Sequence, residues 1–230
     1  LQKKHSGRYL VSREHDRDFY TVIENFAKHF PQSRIILVLR RHDKWIASQY
    51  RRVTKNGRGV MFNEFLDIDN NQGRWDKEIL NFYDRILFVE KIFGKRPLVL
   101  FHDELKNDPY SFFDKIATFT KSRYNKNRLS LSPKHTAHRD KQLKAVRKVA
   151  RSTFYKRDGI YIKHTNGFER KIRKIFCHLI MYFYWLIPPG EEKNKPLLSD
   201  HDLEKIRKAY KDDWEKCKQY AKENPVEDIT

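Results

Sequence analysis

Cysteine is scarce in this sequence: Cys177 and Cys217 are the only two among 230 residues. Two thiols cannot build a disulfide scaffold, nor can they alone complete a zinc site, so no metal and a reducing, cytoplasmic setting are expected. Glycine and proline are also sparse, eight of each, which excludes collagen-like and linker-rich organisation. Long apolar runs are lacking. The longest, Ile175 to Pro189 (IFCHLIMYFYWLIPP), falls short of the ~20 residues a membrane-spanning helix needs. Leu1 to Arg17 is charged throughout and does not read as a secretory signal.

Negative charge is the remaining shortage. Thirty acidic residues face 49 lysines and arginines, a formal net charge of +19. Such an excess points to a polyanionic partner: nucleic acid, a phosphate-rich cofactor, an acidic glycan or an anionic membrane. What is present in quantity is apolar and aromatic material, 39% and 14% of residues. That suffices for a core, and residues 1–230 read as a single domain.

Three segments read as strands: Tyr9-Leu10-Val11, Arg34 to Arg40 (RIILVLR) and Pro97 to Phe101 (PLVLF). The last two are continuous apolar runs, the pattern of strands covered on both faces. Helical spacing links Phe19, Val22, Ile23, Phe26 and Phe30 before a stop at Pro31, and Ile79, Phe82, Tyr83, Ile86 and Phe93 before Gly94. Asp108-Pro109 reads as a cap with proline in the first turn. Ser199 to Asp202 reads as a capping box ahead of Leu203, Ile206, Tyr210, Trp214 and Cys217. The basic stretch Lys121 to Arg157 is expected to be a surface excursion, and Arg207 an exposed cation. Alternation of strand and helix predicts an α/β domain with a parallel sheet and extra helices.

In open parallel sheets, ligands bind outside the carboxyl ends of the strands. The segment RIILVLRRHDKWIASQYRR lies at such an end. Arg40 leaves the strand, Arg41-His42-Asp43 turns the corner, and Ser48 falls in the first turns of the next helix. A guanidinium and a hydroxyl near a helix N-terminus suit a phosphate dianion.

This strand–Arg–turn–helix–Ser pattern resembles the 3′-phosphate-binding element of sulfotransferases that use PAPS (3′-phosphoadenosine-5′-phosphosulfate), where a serine follows the arginine by eight places, as Ser48 follows Arg40. Phe93 to Thr120 (FGKRPLVLFHDELKNDPYSFFDKIATFT) is similar to a later strand of that family, with its acidic-Leu turn at Glu104-Leu105 and Asp-Pro helix start. PLLSDHDLEKIRKAYKDDWEKC is similar to a C-terminal helix of the family. The form LRRHDKWIASQY is nearer to the bacterial and carbohydrate-modifying members. The resemblance implies a three-layer fold like that of P-loop nucleotide hydrolases, sulfuryl transfer from PAPS to a hydroxyl, with PAP as product, and an acceptor on a sugar or glycolipid. It also implies a base near the first strand, Glu14 or His15, and a nucleotide-covering loop containing Lys134 and Arg139. One element is missing. No glycine here is followed by the Lys-Ser/Thr pair of a 5′-phosphosulfate loop, so either that loop lies in a further N-terminal segment of the same protein, upstream of Leu1, as expected, or the chain is a degenerate relative without it.

Two other readings stand beside this one. A nucleic-acid-binding module accounts for the charge, with Lys141 to Arg157 tracking a phosphate backbone, but no recognised DNA- or RNA-binding motif accompanies it. A kinase-like enzyme is disfavoured by the absent phosphate loop. Residues 170–189, Arg170 to Lys174 and the apolar run after it, read either as a buried helix beside the acceptor cleft or as an in-plane, peripheral membrane contact; all-round apolarity favours burial.

Overall fold

A computed structural model describes residues 18–131, 138–153, 167–187 and 195–227. The expected strand at Tyr9–Val11, together with Glu14, His15 and Lys134, lies outside the described residues. Within them the chain is mostly helical around a small parallel sheet, an α/β arrangement.

Strand β1 (Ile36–Leu39) pairs in parallel with β2 (Leu98–Phe101), Ile36 opposite Leu98 and Leu39 opposite Phe101. Side chains alternate between the two faces. Leu39, Val99 and, less deeply, Leu37 and Phe101 meet α4 (Phe82–Phe93) and α10 (Lys211–Glu223) on one face. Leu98, Leu100 and Ile36 meet α6 (Pro109–Thr120) on the other. Helix α1 (Phe19–His29) closes the first face by seating Phe19 and Ile23 against Val89 and Phe93 of α4. β2 is buried as expected, but β1 is not covered on both faces, because Val38 is 50% exposed. Val38 shares the face of its partner Leu100, and the side chains of α6 pack over β2 and Ile36 without reaching it.

Local signals set several helix ends. The Asp108 carboxylate accepts from Ser111 N at 3.0 Å with Pro109 in the first turn of α6. Gly94 ends α4 in the left-handed region at φ 60°, where a side chain would be strained. Ser199 Oγ accepts from Asp202 N at 3.0 Å at the start of α9 (Asp200–Ala209). The expected single C-terminal helix is instead two. Tyr210 leaves helical geometry between α9 and α10, and its ring stacks on His42 at 4.6 Å. The apolar spacing runs unbroken across this bend, so it carried no trace in the sequence.

A second and larger core lies among helices, with Val60, Leu66, Trp75, Leu197 and Leu198 added from the connecting segments. It joins α2 (His42–Lys55), α3 (Phe62–Phe65), α7 (Asp140–Thr153), α8 (Gly167–Tyr182) and α9 around Ile46, Tyr50, Val146, Ile180 and Ile206. Residues 121–131 are largely exposed, as expected of a surface excursion over Lys121–Arg157, but helix α7 within that stretch is not. Its Leu143, Val146 and Ala150 are buried, and two of its cations, Arg147 and Arg151, turn inward while Lys141 and Lys148 stay exposed. Buried Arg147 donates from Nη1 to Tyr50 Oη at 2.8 Å, and Tyr50 donates to Val60 O at 3.0 Å. Arg151 donates to both Glu64 oxygens, at 2.8 and 3.0 Å, and to Gly59 O at 3.0 Å. At Gly59 an added Cβ would lie 2.4 Å from the Arg151 backbone. Gly59→Ala is therefore expected to force α7 off α2 and to lower stability by about 1–3 kcal/mol, the usual cost of overpacking; urea unfolding of the two proteins measures it.

Helix α8 corrects the other burial expectation. Cys177, Ile180 and Met181 are buried, but Ile175, Leu179 and Tyr182 are 62%, 51% and 76% exposed. The apolar run is thus a half-buried helix with a bare outer face.

Candidate anion-binding site at the strand ends

The carboxyl ends of β1 and β2 bring together Arg40 to Lys44 from the start of α2 and His102 to Glu104 from the start of α5 (His102–Asn107). Helix α5 begins directly after β2, and α2 begins after two intervening residues beyond β1, so the parallel pairing of Leu39 with Phe101 sets Arg40 beside His102. Arg40 is half-buried, and its Nε lies inside the protein with no hydrogen-bond partner among the described residues. A buried, unsatisfied guanidinium N–H is costly unless something accepts from it.

The N-terminus of α2 is filled from within. Asp43 is 3% exposed and receives Arg41 Nε and Nη2 at 2.7 and 2.8 Å as a two-point pair. Arg207 adds Nε and Nη2, each 3.3 Å from Asp43 Oδ2. Burial alone would raise the Asp43 carboxyl, but the Arg41 bonds, the Lys44 backbone N–H and Arg207 together hold it below the ordinary carboxylate range. Arg207 is thus not the idle surface cation that the sequence suggests: it is exposed, yet it holds α9 to α2.

His42 is buried beneath this turn. Its ring stacks between Phe82, at 4.2 Å, and Tyr210, at 4.6 Å. Nε2 lies 2.9 Å from Leu80 O and 3.1 Å from Asp213 Oδ2; both are acceptors, which places the proton on Nε2. Asp213 also accepts from Phe82 N and Tyr83 N at 3.0 and 3.1 Å, capping α4. This cluster ties α2, α4, α9 and α10 together and fixes the direction in which α2 leaves the sheet.

Ser48 sits in the second turn of α2 and is exposed; no hydrogen bond joins it to Arg40 among the described residues. Helical spacing puts it on one stripe with Lys44 and Arg51, four residues before and three after. Lys44 Nζ reaches Asp103 Oδ2 at 2.7 Å, next to His102. Arg51 donates to His138 O at 3.3 Å and to Asp140 Oδ1 at 2.5 Å, beside the exposed Arg139. The stripe therefore runs from the strand ends near Arg40 to the segment that carries Arg139. Arg139 N donates to Gln142 Oε1 at 3.0 Å at the entry of α7.

Sequence reasoning passed over His102, which stands in FHDEL as one more polar residue after a strand. The available signal was its position, matching Arg40 on the neighbouring strand. Burial first, then the charge of Arg40, lowers the His102 pKa from 6.5; Lys106 and Lys44 add to the shift and Asp103 opposes it. The imidazole is therefore neutral at pH 7. Because the folded value lies below the unfolded one, this group's contribution to stability is complete above about pH 6.5 and is lost as pH falls through the folded value. An anion held beside Arg40 favours imidazolium, so its binding takes up a proton. Affinity for inorganic phosphate is expected to rise between pH 8 and 6 by more in the wild type than in His102→Gln. The difference between the two pH series isolates the imidazole from the titration of phosphate itself.

Among the described residues no cluster of histidine, cysteine and carboxylate side chains suits a metal ion, and no helix is long and apolar enough to cross a membrane. No protein-family model, curated protein or solved structure matches the chain.

Proposed function

We propose that the chain works as a PAPS-dependent sulfotransferase domain of the three-layer α/β kind, moving a sulfuryl group to a hydroxyl acceptor on a carbohydrate. The observation that carries this reading is the buried, unpartnered Nε of Arg40 at the end of β1, with His102 beside it and the Lys44–Ser48–Arg51 stripe leading away. A 3′-phosphate would supply the acceptor that this guanidinium lacks, and a neutral imidazole can donate to the same anion. Ser48 and Arg139 are placed in this reading along the nucleotide, with Lys134 in the covering loop. Sulfuryl transfer needs cations to stabilise developing charge and a base for the acceptor proton, the role assigned to Glu14 or, failing it, His15. PAPS brings the activated sulfuryl group.

In the nucleic-acid reading, α7 keeps Lys141 and Lys148 exposed but engages two of its arginines internally. Arg147 and Arg151, which were to follow a phosphate backbone, are engaged with Tyr50, Glu64 and Gly59.

The discriminating probe is the 3′-phosphate alone. PAP is expected to bind at least tenfold more tightly than 5′-AMP in calorimetric titration, since one charge-assisted contact is worth ~1.5–3 kcal/mol. Equal affinity for the two nucleotides would overturn the assignment.

A further inference from the structure

Helix α8 presents an apolar face that nothing among the described residues covers. Phe168, Ile172, Ile175, Leu179 and Tyr182 are 50–76% exposed and recur at steps of four and three residues, one continuous stripe on a helix about 24 Å long. The opposite face, Cys177, Ile180 and Met181, is locked into the helical core, so the helix cannot roll to hide the stripe. Beyond Tyr182 the chain makes a short turn at Tyr184–Leu186, where Trp185 is 68% exposed. Isolated exposed apolar residues are ordinary, but a contiguous stripe of this kind marks a contact surface.

We infer that this face docks the protein in the plane of an anionic lipid bilayer. Three observations choose that occupant. Lys171 and Lys174 are exposed on the same helix, and the chain carries +19 overall, which suits anionic headgroups. Tyr182 and Trp185 gather at one end, and such rings favour the boundary between headgroup and hydrocarbon. The helix is too short and too charged to span, yet its apolar side is continuous, the combination that lies flat in the interface. A second copy of the chain fits less well, because apposing two such faces would also bring together two strongly basic molecules. This inference is independent of the reading of the strand ends.

The test is flotation of the intact chain with vesicles of phosphatidylcholine and phosphatidylserine (70:30) or of phosphatidylcholine alone, at physiological salt. Binding to the anionic vesicles is expected, at least tenfold stronger than to the neutral ones. Leu179→Glu changes an exposed position, and an unaltered melting temperature verifies its fold; it should reduce binding at least tenfold. Lys171→Gln and Lys174→Gln should each cost about fivefold, the usual value of one basic residue near an anionic surface. The inference is overturned by absence of binding to anionic vesicles, or by a folded Leu179→Glu protein that binds as the wild type does. It is equally overturned if the wild type sediments as a dimer that Leu179→Glu makes monomeric, since a second copy then covers the face.

Discussion

Arg40→Ala is expected to weaken PAP binding by about tenfold to a hundredfold, corresponding to the ~1.5–3 kcal/mol of a hydrogen bond to a charged group. The guanidinium has no competing partner at Nε among the described residues, so the binding energy is not offset by breaking an internal ion pair. Ser48→Ala should be milder, because an exposed hydroxyl exchanges one hydrogen bond with water for another. The comparison must be a cation with no structural task. Arg207 is unsuitable, since its loss would release Asp43. Lys222, exposed near the end of α10, serves instead. Calorimetric titration of the Arg40→Ala, Ser48→Ala and Lys222→Ala proteins measures the order, and equal affinity in the Arg40 and Lys222 variants would remove Arg40 from the site.

Asp43→Ala should be the most damaging change at the strand ends for stability. It removes the carboxylate that holds Arg41 and Arg207 at the start of α2 and leaves two guanidiniums facing each other. Breaking a fully buried pair costs 3–5 kcal/mol, but the arginine side chains are 32% and 46% exposed, so about 2 kcal/mol is the appropriate figure after solvent screening. For a chain of this size that is a fall in melting temperature of roughly 4–8 °C. The sign with pH follows from the lowered folded pKa. The Asp43 contribution is present above the unfolded value near 3.8 and disappears as pH falls through the folded value. Stability of the wild type should thus drop more steeply than that of Asp43→Ala at the acid end, as thermal melts at pH 7 and pH 3 would show.

The parts of this fold that were legible in the sequence are those with a local cause. Pro31, Gly94, Asp108-Pro109 and the Ser199–Asp202 box each act on the turn beside them, so the limits of α1, α4, α6 and α9 follow from the residues themselves. The two strands followed from their apolar runs. What failed depends on direction rather than composition. A helix with as many cations as α7 looks solvated, and only the partners Tyr50 and Glu64 reveal that Arg147 and Arg151 point inward. The run after Ile175 announces apolarity without saying that one side is left bare. At the candidate site the strand-end rule found Arg40, whereas His102 acquires its place only once Leu39 and Phe101 are paired. Arg207 lies 164 residues from Asp43, beyond the reach of any local pattern.

The measurement that bears most directly on the central claim is PAP binding followed across a salt series, with single-stranded DNA of mixed sequence as competitor. A built 3′-phosphate site makes a few fixed contacts, so PAP affinity should fall less than about tenfold between 50 and 200 mM salt, and DNA should not displace the nucleotide at the higher salt. A basic surface that follows a backbone through six or more phosphates would lose about 10³-fold or more over the same range. Saturable PAP binding that persists at 200 mM salt and depends on Arg40 is the predicted result. DNA binding of steep salt dependence, with no saturable PAP binding beneath it, would contradict the sulfotransferase reading.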